Sequence, residues 1–367
     1  MSRTLRLESA IDTVQSQSAL EQVANALVDA TIVYFDTEFL REKTYYPQLC
    51  LMQLRVDETT YLVDPLLELD FDAFWDALLA TRLVLHSGRQ DLEVLMMGAG
   101  RLPEEVFDTQ VAGGIVGLPP QIGYAKLVEA ICNVTLAKAH TRTNWSRRPL
   151  ATDVLQYAAD DVNYLPAIYG HLQEKLTELG REDWATSDCA DMLSPALYEN
   201  PTDNAWQRVK GFGNLPQKVQ PLVMALCQWR EEIAQKADRP RQWILRDASL
   251  LDIAFGEITK PGDIGDIQGI SSKFANRYAN KVFEVINGDL PVAPEYRPRP
   301  DDVERRKVKA MAAAVREIAQ RLEMEAEILA PQRELRDAIR GNEDIRAFRG
   351  WRAPLIEKTL REIIAGD

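Results

Sequence analysis

Asp36 and Glu38 flank a threonine at the end of an apolar run, Ile32-Val33-Tyr34-Phe35. Extended backbone sends every second side chain to the same face, so the two carboxylates project together. Paired carboxylates at the end of a buried strand repel each other unless a cation lies between them, and hard oxygen donors suit Mg2+ or Mn2+. On that pair alone, an exposed acidic strand end is the simpler account. A third carboxylate, Asp91, stands where the run 83–86 passes through His86-Ser87-Gly88 into a helix. The helix dipole favours an acid in the first turn, so a structural role would explain Asp91 by itself. Glu93 lies off that face. Tyr157 and Asp161 are four apart on a helical stretch, which sets a phenol beside a carboxylate, and Tyr164 continues the stripe. Asp160 falls about 100° round the helix and is assigned to the surface.

The elements that must hold these residues belong to an α/β domain. Strands are expected at 31–36, 49–56, 60–63 and 83–86, and helices at 18–29, 70–80, 89–98, 124–132 and 152–179. The first three strands leave no room for crossover helices, so the sheet should begin antiparallel and be mixed overall. Periodicity lapses over 183–205, which reads as a linker with Ser194-Pro195 and Asn200-Pro201. Beyond it come only helical stretches, at 204–209, 215–237, 247–254, 272–287, 301–324, 331–339 and 353–365. The segment 288–300, with four prolines, divides that half in two.

Composition excludes several classes. The chain has 367 residues, 46% hydrophobic and 27% charged, ordinary for a globular protein of two or three domains. No run is long and apolar enough for a membrane span or a secretory leader, so a cytoplasmic location is expected. Cys50, Cys132, Cys189 and Cys227 lack zinc or redox spacing and read as reduced thiols, and His86, His140 and His171 are too scattered for a zinc site or a triad. No glycine-rich loop follows a strand, which removes dinucleotide and P-loop readings. The net charge of −13 is unevenly placed: residues 1–199 carry 15 Lys+Arg against 30 Asp+Glu, residues 200–290 carry 12 against 11, and residues 291–367 carry 16 against 15. An acidic cluster loaded with divalent cations reverses its local sign, so a polyanionic substrate is not excluded.

Taken together, Asp36-Thr37-Glu38, Asp91 with its helix, and Tyr157 with Asp161 resemble the three motifs of DEDDy exonucleases, whose core is RNase H-like. The likeness covers roughly residues 25–175. Pro47-Gln48-Leu49-Cys50-Leu51-Met52-Gln53, Phe107-Asp108-Thr109 and Trp145-Ser146-Arg147-Arg148-Pro149-Leu150 are similar to the ribonuclease D branch. The resemblance implies two divalent ions, Mg2+ or Mn2+, serving phosphodiester hydrolysis. It implies that Asp36 bridges both ions, that Glu38 and Asp161 hold the one that activates water, that Asp91 supports the second, and that Tyr157 orients the attacking water. Substrate contacts are expected from Phe39 as a wedge against the terminal base, from Trp145 by stacking, and from Arg147 and Arg148 at phosphates, with His86 near the centre. Core packing remains open for Phe39 and Trp145, and pairing with neighbouring acids for the arginines. Asp108 stands either behind the centre or at a helix cap.

Residues 204–287, with Trp206, Trp229-Arg230, Ala237-Asp238-Arg239-Pro240, Trp243-Ile244 and Asp247, are similar to an HRDC bundle, and 296–367 to a more diverged copy marked weakly by Trp351-Arg352. The expected organisation is an exonuclease domain over 1–195, a first HRDC domain over 204–288 and an HRDC-like domain over 296–367. The expected activity is removal of nucleotides from RNA 3′ ends by a monomer, with tRNA precursors the substrates that the family suggests. A DNA exonuclease on the same core and a non-catalytic RNA-binding scaffold are the alternatives.

Overall fold

The computed structural model describes residues 10–136, 143–294 and 301–366. Lys138, His140, Arg142 and the prolines at 298 and 300 lie outside them. The chain forms two compact units, one of residues 1–39, 49–198 and 300–367, the other of 40–48 and 199–299.

The first unit is built on a six-stranded sheet of β1 (Ala10–Val14), β2 (Ile32–Leu40), β3 (Gln48–Val56), β4 (Thr59–Val63), β5 (Arg82–Leu85) and β6 (Glu105–Asp108), in the order β1-β4-β3-β2-β5-β6. β3 and β4 pair antiparallel across a two-residue turn, while β1 with β4, β2 with β5 and β5 with β6 are parallel, so the sheet is mixed as the strand spacing required. β1 and β6 escaped the sequence reading. β1 buries only Val14, and β6 has four residues, too few to show a period.

Side chains alternate across the sheet. Val33, Phe35, Leu83 and Leu85 enter one core with α1 (Gln17–Asp29), α2 (Asp72–Leu79) and α3 (Arg89–Ala99). Ile32, Tyr34 and Val84 enter the other. That second layer holds α4 (Thr109–Ile115), α5 (Tyr124–Cys132) and α7 (Leu165–Leu179), with α6 (Thr152–Asn163) leading into α7. The expected single helix over 152–179 is thus two, because Pro166 cannot continue the hydrogen-bond ladder of α6 and instead opens α7. The expected linker over 183–205 begins as a helix, α8 (Glu182–Asp191), whose polar sequence conceals the two residues it buries, Ala185 and Cys189.

The C-terminal helices of this unit are α13 (Asp302–Arg321), α14 (Ala326–Leu329), α15 (Gln332–Ile339) and α16 (Ala353–Ala365), packed around Met311, Val315, Leu335 and Leu360. Trp184, Ile328 and Trp351 pack against both this core and that of the α7 layer. The backbone of 323 comes so close to Gly117 that a Cβ there would lie 2.4 Å from the Glu323 carbonyl oxygen, and Gly117 itself has φ +96°. No other residue fits.

The second unit contains α9 (Gln220–Ala237), α10 (Arg241–Ile244), α11 (Asp247–Phe255) and α12 (Ser272–Ile286) around Val223, Leu226, Leu250, Ile253 and Val282. Its order of one long helix, one single turn, one short helix and one longer helix recurs in α13 to α16. Trp229-Arg230 lies within α9, whereas Trp351-Arg352 precedes α16, so the two dipeptides occupy different places in the repeat. No helix among the described residues is long and apolar enough to cross a membrane.

Candidate active site

The alternation that sends Tyr34 to the α7 face of the sheet carries Asp36 and Glu38 to the same side, at the C-terminal end of β2. Thr37 points the other way and is 6% exposed. There it meets Asp91, in the first turn of α3: the Thr37 amide (3.1 Å) and hydroxyl (2.5 Å) both donate to Asp91 Oδ1. Thr37 therefore ties the second motif to the first. Asp91 is in turn placed by the head of α3, where Ser87 holds φ +57° and Gly88 is the N-cap. A Cβ on Gly88 would lie 2.7 Å from the Leu85 side chain, so the turn demands glycine.

Asp161 and Tyr157 come from α6, on the face expected from their spacing. Asp160 faces away; its carboxylate accepts from Gln156 (2.9 Å), and its carbonyl accepts from the Tyr124 hydroxyl (2.9 Å). Tyr124 had no signal in the sequence beyond its place at the start of a helix. It anchors the backbone just before Asp161.

The electrostatics show which groups have converged. Burial pushes the Asp36 carboxyl well above the ordinary carboxylate range, and the charges of Asp91, Asp161 and Glu38 push it further. Glu38 rises to about 8 through burial and then Asp161 and Asp91. Asp161 rises to about 8 through burial, Asp160 and Asp91. Asp91 rises to about 6 because it is buried, even though the Thr37 hydroxyl opposes the shift. Tyr157 moves up to about 12 through burial and then the charges of Asp161, Glu38 and Asp36. The charges of Asp91 and Asp161 act on Asp36 and Glu38, and that of Asp91 on Asp161, so acids from three separate segments share one partly closed site. Among the described residues, no three His, Cys, Asp or Glu side chains yet close on a common point at ligand distance.

A family model described as a 3′-5′ exonuclease matches residues 11–177, and an HRDC domain model matches 220–286. Ribonuclease D of Bartonella henselae is 31% identical over 363 residues, covering 95% of this chain and 88% of that protein. Ribonuclease D of Acidiphilium cryptum is 36% identical over 293 residues, 77% of this chain and 74% of that one. The chain belongs to the ribonuclease D family. The crystal structure of Escherichia coli RNase D, an exoribonuclease involved in structured RNA processing, superposes with a TM-score of 0.87 at 26% identity, over 96% of this chain and 98% of that one. The catalytic core of RRP6 from Trypanosoma brucei shares the fold with a TM-score of 0.60 at 20% identity, over 78% and 82%. The protein is accordingly a 3′-5′ exoribonuclease, with a mixed-sheet exonuclease domain and a helical C-terminal region that contains HRDC.

Around this ribonuclease D centre the expected substrate contacts divide. Trp145 is 5% exposed, and its ring lies 6.3 Å from that of Tyr157, tilted by 30°, so it backs the phenol from within the core. The Arg148 guanidinium is engaged within the protein. It pairs with Asp64 through Nε (2.5 Å) and Nη2 (2.7 Å), and donates to the carbonyls of Trp145 (2.7 Å) and Cys50 (2.7 Å). Asp64 is 7% exposed and Arg148 partly so, and with a further bond to the Arg147 carbonyl (2.9 Å) all five guanidinium donors of this clasp are occupied. Arg147 is exposed, with no side-chain partner among the described residues. Phe39 is half-buried at the end of β2.

His86 bonds through Nδ1 to the Thr109 hydroxyl (2.9 Å), packs 5.5 Å from the Tyr124 ring, and is held below its ordinary pKa by burial. Because the Thr109 hydroxyl donates to the Leu85 carbonyl, His86 Nδ1 is the donor of that bond. Asp108 caps the next helix and also reaches the head of α3. Oδ1 caps α4 at the amides of Gln110 (2.7 Å) and Val111 (3.1 Å), and Oδ2 accepts from the Gly88 amide (2.7 Å) at the head of α3.

The second unit has a cavity of about 860 Å³ lined by Arg239, Arg246, Lys273, Arg277, Trp243 and Tyr278, among others. Its lining includes no acidic side chain, and the indole of Trp243 is 58% exposed.

Proposed function

We propose that this ribonuclease D removes nucleotides one at a time from RNA 3′ ends by two-metal-ion hydrolysis, acting in the cytoplasm on structured precursors such as those of tRNA. The observation that carries the reading is the convergence of Asp36, Glu38, Asp91 and Asp161, all raised by burial, with Asp36, Glu38 and Asp161 raised further by carboxylates of the same group. An all-oxygen set of mutually repelling carboxylates fits hard divalent cations, which relieve that repulsion as no protein group in the cluster does. Asp36, Glu38, Asp91 and Asp161 would hold the ions.

Divalent ions held there supply charge neutralisation at the phosphate and an activated water. The remaining work belongs to the chain itself. Thr37 keeps Asp91 turned towards β2. With its pKa raised to about 12, Tyr157 stays protonated at neutral pH, so its hydroxyl orients the attacking water by hydrogen bonding. Trp145 behind it limits the positions open to the phenol. Phe39 at the end of β2 is placed to meet the terminal base, and exposed Arg147 to meet a phosphate. The acid-free cavity of the HRDC unit, lined by Arg239, Arg246, Lys273 and Arg277 and by an exposed indole, suits the backbone and bases of a single strand. We read 204–288 as the HRDC domain and 296–367 as its diverged repeat, on the recurring helix order.

The test is hydrolysis of 3′-labelled and 5′-labelled RNA with and without EDTA, by wild type and Asp36→Asn. Stepwise shortening from the 3′ end, abolished by EDTA and by the substitution in a folded protein, is expected. Undiminished degradation by Asp36→Asn would sink the assignment of the centre, and equal rates on matched DNA would remove the restriction to RNA.

A further inference from the structure

We infer that the C-terminal bundle braces the active centre through α8, with Asp108 as the positioning residue that holds the head of α3 and thereby Asp91. The inference rests on the metal reading of the carboxylate cluster. Its path can be followed bond by bond. Asp108 is 1% exposed and uses both carboxylate oxygens, Oδ1 on the N-terminal amides of α4 and Oδ2 on the Gly88 amide, three residues before Asp91. Capping α4 needs only one oxygen. The second fixes the N-cap of α3, where the steric demand at Gly88 and the left-handed backbone of Ser87 leave the turn little freedom.

Asp108 is itself located from α8. Its amide donates to the thiol sulfur of Cys189 (3.2 Å), a side chain with no exposure. The preceding residue, Asp188, receives the C-terminal bundle: Arg352 Nη1 (2.7 Å) and Nη2 (2.6 Å) grip its two oxygens, and Trp351 Nε1 adds a third bond (2.9 Å). Arg352 is 3% exposed and also donates to the Ile328 carbonyl (2.8 Å), while Trp351 stacks on Trp184 of α8 at 4.3 Å and 6°. Arg181, at the start of α8, joins the Ile115 carbonyl of α4 (2.8 Å) to the Leu322 carbonyl after α13 (2.7 Å). A helix fastened at both ends to the bundle therefore presents adjacent residues, 188 to the bundle and 189 to Asp108. Such rigid support is what a ligand set assembled from three segments requires, and outer partners of metal ligands characteristically govern affinity.

The test is Mn2+ binding to the EDTA-stripped full chain, followed by titration calorimetry and by the electron paramagnetic resonance of free Mn2+. Asp108→Asn retains an oxygen for the α4 cap but turns an N–H group towards the Gly88 amide. Arg352→Lys keeps the charge and loses the two-pronged grip. For Asp108→Asn, Mn2+ affinity should fall about tenfold, and the Mn2+ concentration giving half-maximal hydrolysis should rise in step, with KM for RNA unchanged. Arg352→Lys should shift both in the same direction by less.

A loss of thermal stability in the variants with wild-type Mn2+ affinity would show that the contacts serve the fold alone and overturns the inference. Should Asp108→Asn fail to fold, wild-type affinity in Arg352→Lys overturns it equally. A wild-type protein that binds no Mn2+ overturns the metal reading and this inference with it; binding that the variants leave unchanged overturns this inference alone.

Discussion

Removing divalent cations should make the stability of this protein fall steeply with pH. Asp91, 6% exposed, has its pKa raised from 3.8 to about 6 in the fold, and Glu38 and Asp161 are raised to about 8. A carboxyl whose pKa is higher folded than unfolded binds protons more tightly in the native state. Its favourable contribution is complete below about pH 4 and is lost as pH rises through the folded value. For Asp91 the shift of some two units corresponds to about 3 kcal/mol, at ~1.4 kcal/mol per unit. The other acids add less than their separate shifts suggest, because each is raised partly by its neighbours' charges.

About 2 kcal/mol of this remains at pH 4.5, so at ~2–4 °C per kcal/mol for a domain of this size the melting temperature in EDTA should fall by about 4–8 °C between pH 4.5 and 8 on account of Asp91 alone. Saturating Mg2+ or Mn2+ should restore it, most strongly at the upper end, where the carboxylates are ionised and unpaired. Differential scanning fluorimetry across that range, with and without metal, provides the measurement. Asp91→Asn, which keeps an oxygen for Thr37, should flatten the slope. A melting temperature independent of pH in EDTA would refute the reasoning, as would a slope in Asp91→Asn equal to that of wild type.

Tyr157→Phe should fold normally and lower kcat by about 10²-fold, with little change in KM, in steady-state hydrolysis of a short RNA. Arg148→Ala should cost about 1–3 kcal/mol of stability in urea unfolding, because it removes the charge partner of Asp64 and leaves that acid only the Leu66 amide, whereas Arg147→Ala should leave stability within about 0.5 kcal/mol of wild type and raise KM. Trp243→Ala should weaken binding of a long single-stranded RNA by about 1–3 kcal/mol in fluorescence anisotropy with EDTA present, while leaving turnover of a trinucleotide unchanged.

The candidate site carboxylates were legible because their geometry is local. Two residues apart on a strand and four apart on a helix fix relative direction without knowledge of the fold, and both spacings placed their side chains as expected. The choice of Asp161 over Asp160 followed from register alone. Arg148 was not legible in the same way. A basic loop beside a nuclease motif suggests phosphate contact, but its partner Asp64 is 84 residues away and was unremarkable in the sequence. The same holds for Trp145, whose burial depends on how the loop folds over Tyr157. Thr37 could have been found, since the middle residue of an Asp-x-Glu strand faces the layer from which the next motif must come. Tyr124 could not, because its hydroxyl acts on a backbone carbonyl 36 residues away that carries no side-chain signature.

α8 shows the limit most clearly. Its sequence, Glu-Asp-Trp-Ala-Thr-Ser-Asp-Cys-Ala-Asp, has little hydrophobic periodicity because the stripe it buries carries only Ala185 and Cys189 beside polar residues. It lies in the same unit as both the sheet and the C-terminal bundle, and its polar residues make directed bonds where a sequence reader expects solvent: Asp188 holds Arg352, and Cys189 accepts from Asp108. A segment that looks like a linker by composition is thus the part of the unit where contacts from 300–367 and from the α3 and α4 termini come within one residue of each other. Buried polar contacts of this type are costly to leave half made, so they constrain arrangement more than they add stability. This is why the region with the weakest sequence signal carries some of the most specific geometry around the carboxylate cluster.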